Sequence, residues 1–402
     1  MIRSQALNPG AVRLPPVWLL VAATATGPFA LHVLVPILPL LGSRLQVSYA
    51  AVQLTLTVYL LGIAGAQLLL GPLSDRFGRR PVMLAGMSLY VLAGVICALA
   101  INLEMLLAGR LLQAIGGCAG VVVGRAIVRD VLDRGRAASM YGYVTMAMSL
   151  APAVSPAVGA WVEAALGWRA IFVLLSLAGT AVLVSAVYQL NETALHPRAH
   201  LDLQGTFVRQ LKLLRSRAFV GYTVNTACTM AAWYAFVAGL PRILVEQLHR
   251  PAADYGMFIV LVLAGYVMGN FAAGRWSAQV GSDRMIALGA GVSLVGALWL
   301  VLAAGSGAAH PLAYFAPMAL NVAGNGISQP NGIAGAVSAE PGATGAAAGL
   351  LGFLQMGFCA LVTVLVGLMP GDDARPLCAL VLGLIMLSVA GFALAVRPRT
   401  SR

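Results

Sequence analysis

Charged side chains are scarce in this sequence. They make up 9% of its 402 residues, whereas hydrophobic types make up 60%. A soluble globular chain carries roughly 25% charged residues, because its surface faces water. The shortage excludes an ordinary soluble enzyme, a disordered protein and a disulfide-rich secreted domain, and it indicates a chain that crosses a membrane several times.

Cysteine is also scarce, and its placement indicates no chemistry. The five cysteines lie inside apolar runs and form neither a Cys-x-x-Cys motif nor a cluster with histidine. This pattern predicts buried small side chains, with no disulfide framework and no metal site. The apolar runs also contain no paired carboxylates and no nucleophile beside a base, so we do not expect an enzyme.

Long apolar runs, in contrast, are abundant. A helix of about 20 apolar residues spans the hydrocarbon core of a bilayer. Twelve such runs are found at residues 17–41, 50–70, 80–101, 105–127, 139–163, 169–189, 219–240, 254–275, 284–304, 311–334, 343–368 and 374–396. The first run exceeds the apolar core of a cleaved signal peptide, so we expect it to remain as a span. The sequence predicts an all-α polytopic membrane protein with twelve transmembrane helices.

The longest connection between runs lies at the middle of the chain. It divides an N-terminal six-helix bundle, residues 1–190, from a C-terminal six-helix bundle, residues 218–402, and residues 191–217 form the linker. We expect the linker to be cytoplasmic, because it is rich in basic residues.

Part of the first half recurs in the second. Gly71 and Ser74 follow the second run, and Gly274 and Ser277 follow the eighth run at a constant offset. Two repeated six-helix bundles with a site between them are typical of secondary transporters.

The basic residues are unevenly distributed along the predicted topology. The chain has 25 Lys and Arg and a net charge of +12. If the N-terminus is cytoplasmic, most of them fall on the cytoplasmic side, and the outer side holds only Arg44, Arg169, Arg242, Arg250 and Arg375. This bias predicts that both termini are cytoplasmic, in an inner (cytoplasmic) membrane, and it explains the charge without a nucleic-acid partner.

The segment Gly71-Pro-Leu-Ser-Asp-Arg-Phe-Gly-Arg-Arg-Pro81 carries the strongest motif. We interpret it as a tight inner loop in which Gly71 and Gly78 allow the backbone to turn. Asp75 would precede the next helix, where a negative charge is favourable. Arg76, Arg79 and Arg80 would hold the loop in the cytoplasm. A loop that only sets orientation would not need the aspartate.

This segment resembles the loop motif of the major facilitator superfamily. Four further segments extend the resemblance along the chain: His32–Pro39, Arg110–Gly117, Ala151–Ala160 and Asn191–Thr193. Together they are similar to the twelve-helix drug:proton antiporter branch, most closely the bicyclomycin/chloramphenicol-type (Bcr/CflA) efflux group. The resemblance implies a monomeric exporter of small molecules that works by alternating access in the lipid bilayer. A proton gradient would drive it, without a bound cofactor.

The resemblance also implies two moving parts. Asp75, Arg76 and Asp130 would latch the halves together at the inner face, although Asp130 could instead only cap its own helix. In span five, a hinge would contain Pro152, Ser155, Pro156 and Gly159. Ser155 stands where the family pattern has glycine, and ordinary helix packing is the alternative explanation for these small residues.

Two charged or titratable groups lie within the predicted spans. Arg110, with Gln113 one turn further on, resembles the membrane-embedded arginine of the family, although it could instead extend toward the outer surface. His32 occupies the place of an acidic residue in the group's pattern. Imidazole changes charge near neutral pH, so His32 could carry the coupling proton. It could also bind substrate or be a passive buried side chain.

No aspartate or glutamate lies well inside a run. A cavity with an arginine and no carboxylate repels lipophilic cations and accepts neutral, zwitterionic or anionic solutes. A dedicated exporter of an endogenous zwitterionic or anionic metabolite, such as a metallophore, is therefore an alternative function.

Polar and aromatic residues on several runs are candidates for lining the substrate cavity. They are Tyr59, Asn225, Trp233, Tyr234, Asn321, Asn325, Ser328 and Gln355. The spacing of Asn321, Asn325 and Ser328 places them on one helical face, and a polar stripe in a membrane usually faces the bundle interior or water.

Overall fold

The protein is all-helical throughout the residues that the computed structural model describes, which are 15–131, 151–152, 154–193, 203–340, 344–369 and 373–396. Its α-helices there are α1 (Val17–His32), α2 (Leu38–Leu45), α3 (Tyr49–Phe77), α4 (Arg79–Ala98), α5 (Leu103–Val131), α6 (Val154–Leu166), α7 (Trp168–Gln189), α8 (Leu203–Leu213), α9 (Arg217–Glu246), α10 (Ala252–Val280), α11 (Ser282–Gly305), α12 (Leu312–Ser338), α13 (Thr344–Gly367) and α14 (Arg375–Val396). This confirms the predicted fold class of a polytopic all-α membrane protein.

Ten helical segments are long and apolar enough to cross a membrane, counting α1 and α2 as one segment, Val17–Leu45. Two other helices complete the correspondence with the twelve predicted runs. Helix α12 has 27 residues but carries several buried amide side chains, which lower its hydropathy. Helix α6 is the described part of span five, and residues 139–150 of that prediction lie outside the described residues.

Span one is interrupted at its centre. Helix α1 ends at His32, and a 3₁₀ turn, Val35–Ile37, leads into α2. Pro36 and Pro39 lie at this break, where each lacks the backbone N–H that would continue a helical hydrogen-bond series. The break places His32 at a helix end in the middle of the span.

Several predicted helix ends are wrong, because the helices extend beyond them. Helix α3 runs through Phe77, seven residues past its predicted end, and α9 runs through Glu246. The last turn of α3 is polar, and Pro241 and Arg242 interrupt the apolar run of α9, so the apolar pattern stops before either helix does. The predicted loop at Gly71 is part of α3, and only Gly78 separates α3 from α4. The linker also contains helix α8, which hydropathy does not detect; residues 194–202 lie outside the described part.

The helices pack in two groups. Helices α1, α3, α4, α5 and α7 contact one another, as do α9 to α14. The halves repeat in backbone geometry, since Gly78 and Gly281 have φ values of +96° and +92° between equivalent helices. Gly62 on α3 lies against α5, as Gly265 on α10 lies against α12. The boundaries at 190 and 218 stay predictions.

The two groups meet along α3 and α13. The hydroxyls of Thr57 and Thr363 form a 2.9 Å hydrogen bond between these helices. At the end predicted to face outward, the Tyr49 hydroxyl donates to the carbonyl of Ala238, at 2.7 Å. The guanidinium carbon of Arg242 lies 5.2 Å from the centre of the Tyr49 ring, within the range of a cation–π contact, and Arg242 also donates to the carbonyl of Met369 within the second half, at 2.9 Å. Polar contacts thus join the halves at this end.

Candidate functional site

The break in span one brings His32 against the second half. Its ring centroid lies 6.0 Å from that of Tyr234 and 6.4 Å from that of Trp233, both on α9. All three side chains are buried. Sequence reasoning proposed Trp233 and Tyr234 only as general cavity candidates, because residues 200 positions apart show no pairing signal in a single sequence. The structure joins them to His32 at the contact between halves.

Of the two ring nitrogens of His32, Nδ1 forms a hydrogen bond and Nε2 can still accept one. Its Nδ1 lies 2.9 Å from the carbonyl oxygen of Pro28, one turn earlier on α1. A carbonyl only accepts, so Nδ1 carries the hydrogen and the neutral ring presents a lone pair at Nε2. Nε2 is buried and has no hydrogen-bond partner among the described residues. A proton or a donor group of a ligand would therefore bind at Nε2.

Arg110 is buried in the first half. Its guanidinium carbon lies 4.0 Å from the centre of the Tyr59 ring, and Nη1 donates to the carbonyl of Ala30 and to Oε1 of Gln113, at 3.0 and 2.8 Å. Its exposed fraction is 0%, so the alternative in which it extends to the outer surface is wrong. The stack on Tyr59 and the carbonyl bond offset part of the cost of burying the charge.

The Arg110 pocket contains unused donors. Nε and Nη2 of Arg110 and Nε2 of Gln113 are buried and have no hydrogen-bond partner within the described part of the chain. A buried donor without a partner is costly, so such groups usually bind water or a ligand. None of the aspartates and glutamates that the structure describes is buried. The described interior is therefore rich in donors and contains no acid.

At the end predicted to face the cytoplasm, Arg79 is the centre of the charged network. Its Nη1 lies 2.6 Å from Asp75 and its Nε 2.8 Å from Asp130, and Nη1 also donates to the Ser74 hydroxyl at 2.6 Å. Arg76, which the sequence interpretation placed in this group, is exposed and lies over the ring of Phe77. That assignment of the arginine is corrected, because Arg79, the first residue of α4, pairs with both carboxylates, while Arg76 is exposed. The latch role itself stays a prediction.

Two further interpretations of this segment are wrong. Gly71 lies in regular helix, so it makes no turn there. Asp75 belongs to the last turn of α3 and not to a loop that leads into α4. The carboxylate at the start of α4 is that of Glu192, whose oxygens accept from the backbone N–H groups of Arg79 and Arg80 at 2.8 and 3.1 Å. The positive end of the helix dipole favours this placement.

Helix α6 lies between the halves. Gly159 packs on the backbone carbonyl of Val33, at the break of span one, and leaves no room for a side chain there. Two residues earlier, Ala157 packs on Gly256 of α10 in the second half. Ser155 is fully buried, and Pro152 and Pro156 flank it. This position suits the predicted hinge, whose function stays a prediction.

The polar candidates of the second half mostly tie helices together. Asn321 Nδ2 on α12 donates to the carbonyl of Ser293 on α11 at 2.9 Å, and Asn225 Nδ2 on α9 donates to the Ser388 hydroxyl on α14 at 2.9 Å. Gln355 Nε2 donates to the carbonyl of Thr226 at 3.2 Å. These bonds provide a packing reason for residues that the sequence interpretation assigned to the cavity.

Asn325 and Ser328 share the buried face of α12 with Asn321, as their spacing predicts. The Ser328 hydroxyl donates to the Asn325 carbonyl at 3.3 Å, and the side-chain oxygen of Asn325 has no partner among the described residues. Asn325 therefore keeps an acceptor available for a ligand.

Two repeated groups of membrane-spanning helices that meet around buried polar and aromatic side chains define a transporter of the two-bundle class. The sequence profile of the Major Facilitator Superfamily matches residues 19–363, and the chain belongs to this superfamily. It is a transporter, not an enzyme.

Resistance proteins are among its relatives. The chain is 31% identical over 373 residues to a chloramphenicol resistance protein of Pseudomonas aeruginosa, with 91% of this chain and 87% of that protein covered. It is 26% identical over 370 residues to a bicyclomycin resistance protein homolog of Haemophilus influenzae, covering 91% and 92%. These relatives fit the Bcr/CflA-type drug efflux group that the motifs predict.

A shorter match and a solved structure agree with this placement. Multidrug resistance protein MdtL of Shigella flexneri is 31% identical over 224 residues, which cover 56% of each chain. The crystal structure of a bacterial homolog to the human lysosomal transporter Spinster, in an inward-facing and unoccupied conformation, superposes with a TM-score of 0.70 over 94% of both chains. At 13% identity, that likeness shows the fold alone.

Proposed function

We propose that the protein is a secondary exporter of small molecules that exchanges its substrate for protons. The observation that carries this proposal is the contact of His32, in the first half, with Trp233 and Tyr234 in the second half. A movement of one half against the other changes the surroundings of His32. Protonation and conformation are then linked, because a ligand shifts an equilibrium when it binds two states differently.

Alternating access requires that the contacts between halves separate at one end at a time. Rocking of residues 1–190 against 218–402 would open the outer end only if Tyr49 separates from Ala238 and from Arg242. The uneven distribution of basic residues supports cytoplasmic termini in an inner membrane. At the inner end, the described partners of Arg79 all belong to the first half, so the predicted latch would need a further contact with the second half that forms in one conformation only.

Proton coupling at His32 needs no cofactor, since the proton gradient supplies the driving force. Protonation at Nε2 would leave the bond from Nδ1 to Pro28 intact and would place a positive charge between Trp233 and Tyr234. The faces of these rings attract cations, so they favour the protonated state when they approach.

Transport in proteoliposomes with an imposed pH gradient tests the coupling. We expect wild-type protein to accumulate chloramphenicol against its gradient when the pH gradient is applied. In His32→Ala, this accumulation should fall at least tenfold. His32→Asp should restore coupling, because it replaces one titratable group by another. His310→Ala is the matched control, since His310 is exposed. If both His32 variants couple like the parent, His32 is not the proton site.

A second candidate function is a dedicated exporter of an anionic or zwitterionic metabolite. It is favoured by the unused donors of Arg110 and Gln113 and by the absence of a buried acid in the described interior. Such donors suit a carboxylate, because charge-assisted bonds to a guanidinium are strong. A lipophilic cation would meet uncompensated positive charge there.

Comparing a deletion strain with its parent separates the two candidates. Build-up of one acidic or zwitterionic metabolite inside the cells, with unchanged drug susceptibility, would support the dedicated exporter. Increased susceptibility to several neutral antibiotics, without such build-up, would support drug efflux. His32-dependent efflux of ethidium would contradict the exclusion of lipophilic cations that both candidates share.

A further inference from the structure

A groove of about 730 Å³ opens on the lipid-facing surface of the second half, away from the site between the halves. One face of α11 forms its floor, and one residue each from α10 and α12 closes its sides. The floor consists of Arg284, Ala287, Leu288, Gly291, Val292 and Val295. The spacing of three and four residues places these side chains along a single stripe. The hollow follows from Ala287 and Gly291, which contribute little side-chain volume.

The length of the groove matches one leaflet of a bilayer. From Arg284 to Val295 the helix rises about 16 Å, at 1.5 Å per residue. The hydrocarbon core of a bilayer is about 30 Å thick, so one leaflet is about 15 Å deep. Arg284 lies in the first turn of α11, and Val295 lies near the middle of this 24-residue helix. The groove therefore has the depth that one acyl chain occupies.

Charge is present at only one end of this groove. Arg284 is the single charged residue of its lining and is exposed, while the rest of the lining is apolar. The neighbouring carboxylate, Asp283, accepts a 2.7 Å hydrogen bond from the Tyr222 hydroxyl of α9, a helix that does not line the groove. A positive group above an apolar channel complements a negative headgroup above an acyl chain.

The geometry points to a binding site for one anionic phospholipid, with its acyl chain along α11 and its phosphate at Arg284. A second copy of this chain fits less well, because a symmetric contact on this face would bring two Arg284 side chains together without an acidic partner in the groove. The site is independent of the proposed transport activity, since its residues do not contact His32 or Arg110.

Native mass spectrometry of the full-length protein tests the headgroup. The protein is released from micelles that contain phosphatidylglycerol and phosphatidylethanolamine in equal amounts. We expect wild type to retain one phosphatidylglycerol in preference. Arg284→Ser should reduce the ratio of retained anionic to zwitterionic lipid about fivefold. Arg275→Ser is the matched control and should leave the ratio unchanged. Arg275 is exposed near the C-terminal end of α10, shortly before α11 begins, but it does not line the groove.

A second pair of variants tests the channel. A Cβ atom at Gly291 would meet no atom within 4 Å, so Gly291→Leu fills the groove without disturbing its walls. We expect this variant to lose the retained lipid and to keep its thermal unfolding midpoint. Gly383→Leu, at an equally open and exposed position on α14, should keep the lipid. The proposal is overturned if Arg284→Ser and Gly291→Leu retain lipid like wild type and like their controls. It is also overturned if the two lipids bind equally to wild type, or if wild type is released as a dimer that Gly291→Leu dissociates.

Discussion

The same backbone turn occurs twice in the protein, once in each half, with different chemistry around it. Gly78 joins α3 to α4 with φ +96° and ψ 158°, and Gly281 joins α10 to α11 with φ +92° and ψ 144°. In the first half, Arg79 follows the turn and bonds to Asp75 and Asp130. In the second half, Ser282 and Ala278 stand at the positions of Arg79 and Asp75.

A neutral bond takes the place of the ions in the second half. Asn331 Nδ2 donates to the Ser277 hydroxyl at 2.9 Å, and Ser277 corresponds to Ser74 in the repeat. Since both turns have the same conformation, the turn itself does not need the charges. The Arg79 network therefore has another purpose, and the latch that the superfamily motif implies is our proposal for it.

Removal of Arg79 should produce the largest difference between the two turns. Arg79→Ala eliminates two ion pairs and one hydrogen bond to the Ser74 hydroxyl. Removing one partner of a buried ion pair costs about 3–5 kcal/mol, and we expect a loss of about that size in the free energy of unfolding. The midpoints of thermal unfolding and of denaturant-induced unfolding, both in detergent, measure this loss. Arg76→Ala is the control and should change the midpoint little, because Arg76 is exposed. Equal effects of the two substitutions would contradict the central position of Arg79.

The fold was predictable because crossing a bilayer leaves a strong signal in hydropathy. Every predicted run contains a described helix, and even α12, with its buried amides, was found as an apolar run. Helix ends were not predictable in the same way. The last turn of α3 is polar, and Pro241 and Arg242 interrupt the apolar run of α9 before that helix ends, so hydropathy does not locate either end.

The candidate site was predictable only in part. Burial of His32 and Arg110 follows from their place in apolar runs, and Gln113 is near Arg110 because they are one turn apart. The contact of His32 with α9 and the contact of Glu192 with the start of α4 join residues far apart in the chain. Local spacing contains no signal for such contacts, and it also does not distinguish Arg79 from Arg76.

Substitution of alanine at the two turn glycines, Gly78 and Gly281, should have an effect of intermediate size on stability. Both glycines have a φ that side chains rarely adopt, so each substitution should cost about 1–3 kcal/mol. At Gly78 the new Cβ would also collide with the Glu192 carboxylate, whereas at Gly281 it would meet no atom within 4 Å. We therefore expect Gly78→Ala to lower the thermal midpoint more than Gly281→Ala does.

A separate control tests why Gly78→Ala should lower the thermal midpoint more than Gly281→Ala. Glu192→Ala removes the carboxylate that the Cβ would meet, so in that background Gly78→Ala and Gly281→Ala should have similar effects. If the excess persists without Glu192, the close approach of this carboxylate to Gly78 is not its cause.

The smallest effects are expected for substitution of Ser74 and Ser277, which occupy equivalent positions in the two halves. Ser277→Ala removes one neutral bond, and Asn331 keeps its 3.0 Å bond to the carbonyl of Ile327, so the loss should be about 1 kcal/mol or less. Ser74→Ala removes an acceptor from the charged Arg79 and should cost about 1.5–3 kcal/mol. The two thermal midpoints, measured in the same detergent, give the comparison directly. If Ser277→Ala were as costly as Ser74→Ala, the ionic character of the first turn would add nothing to its stability, and the contrast between the halves would be one of sequence only.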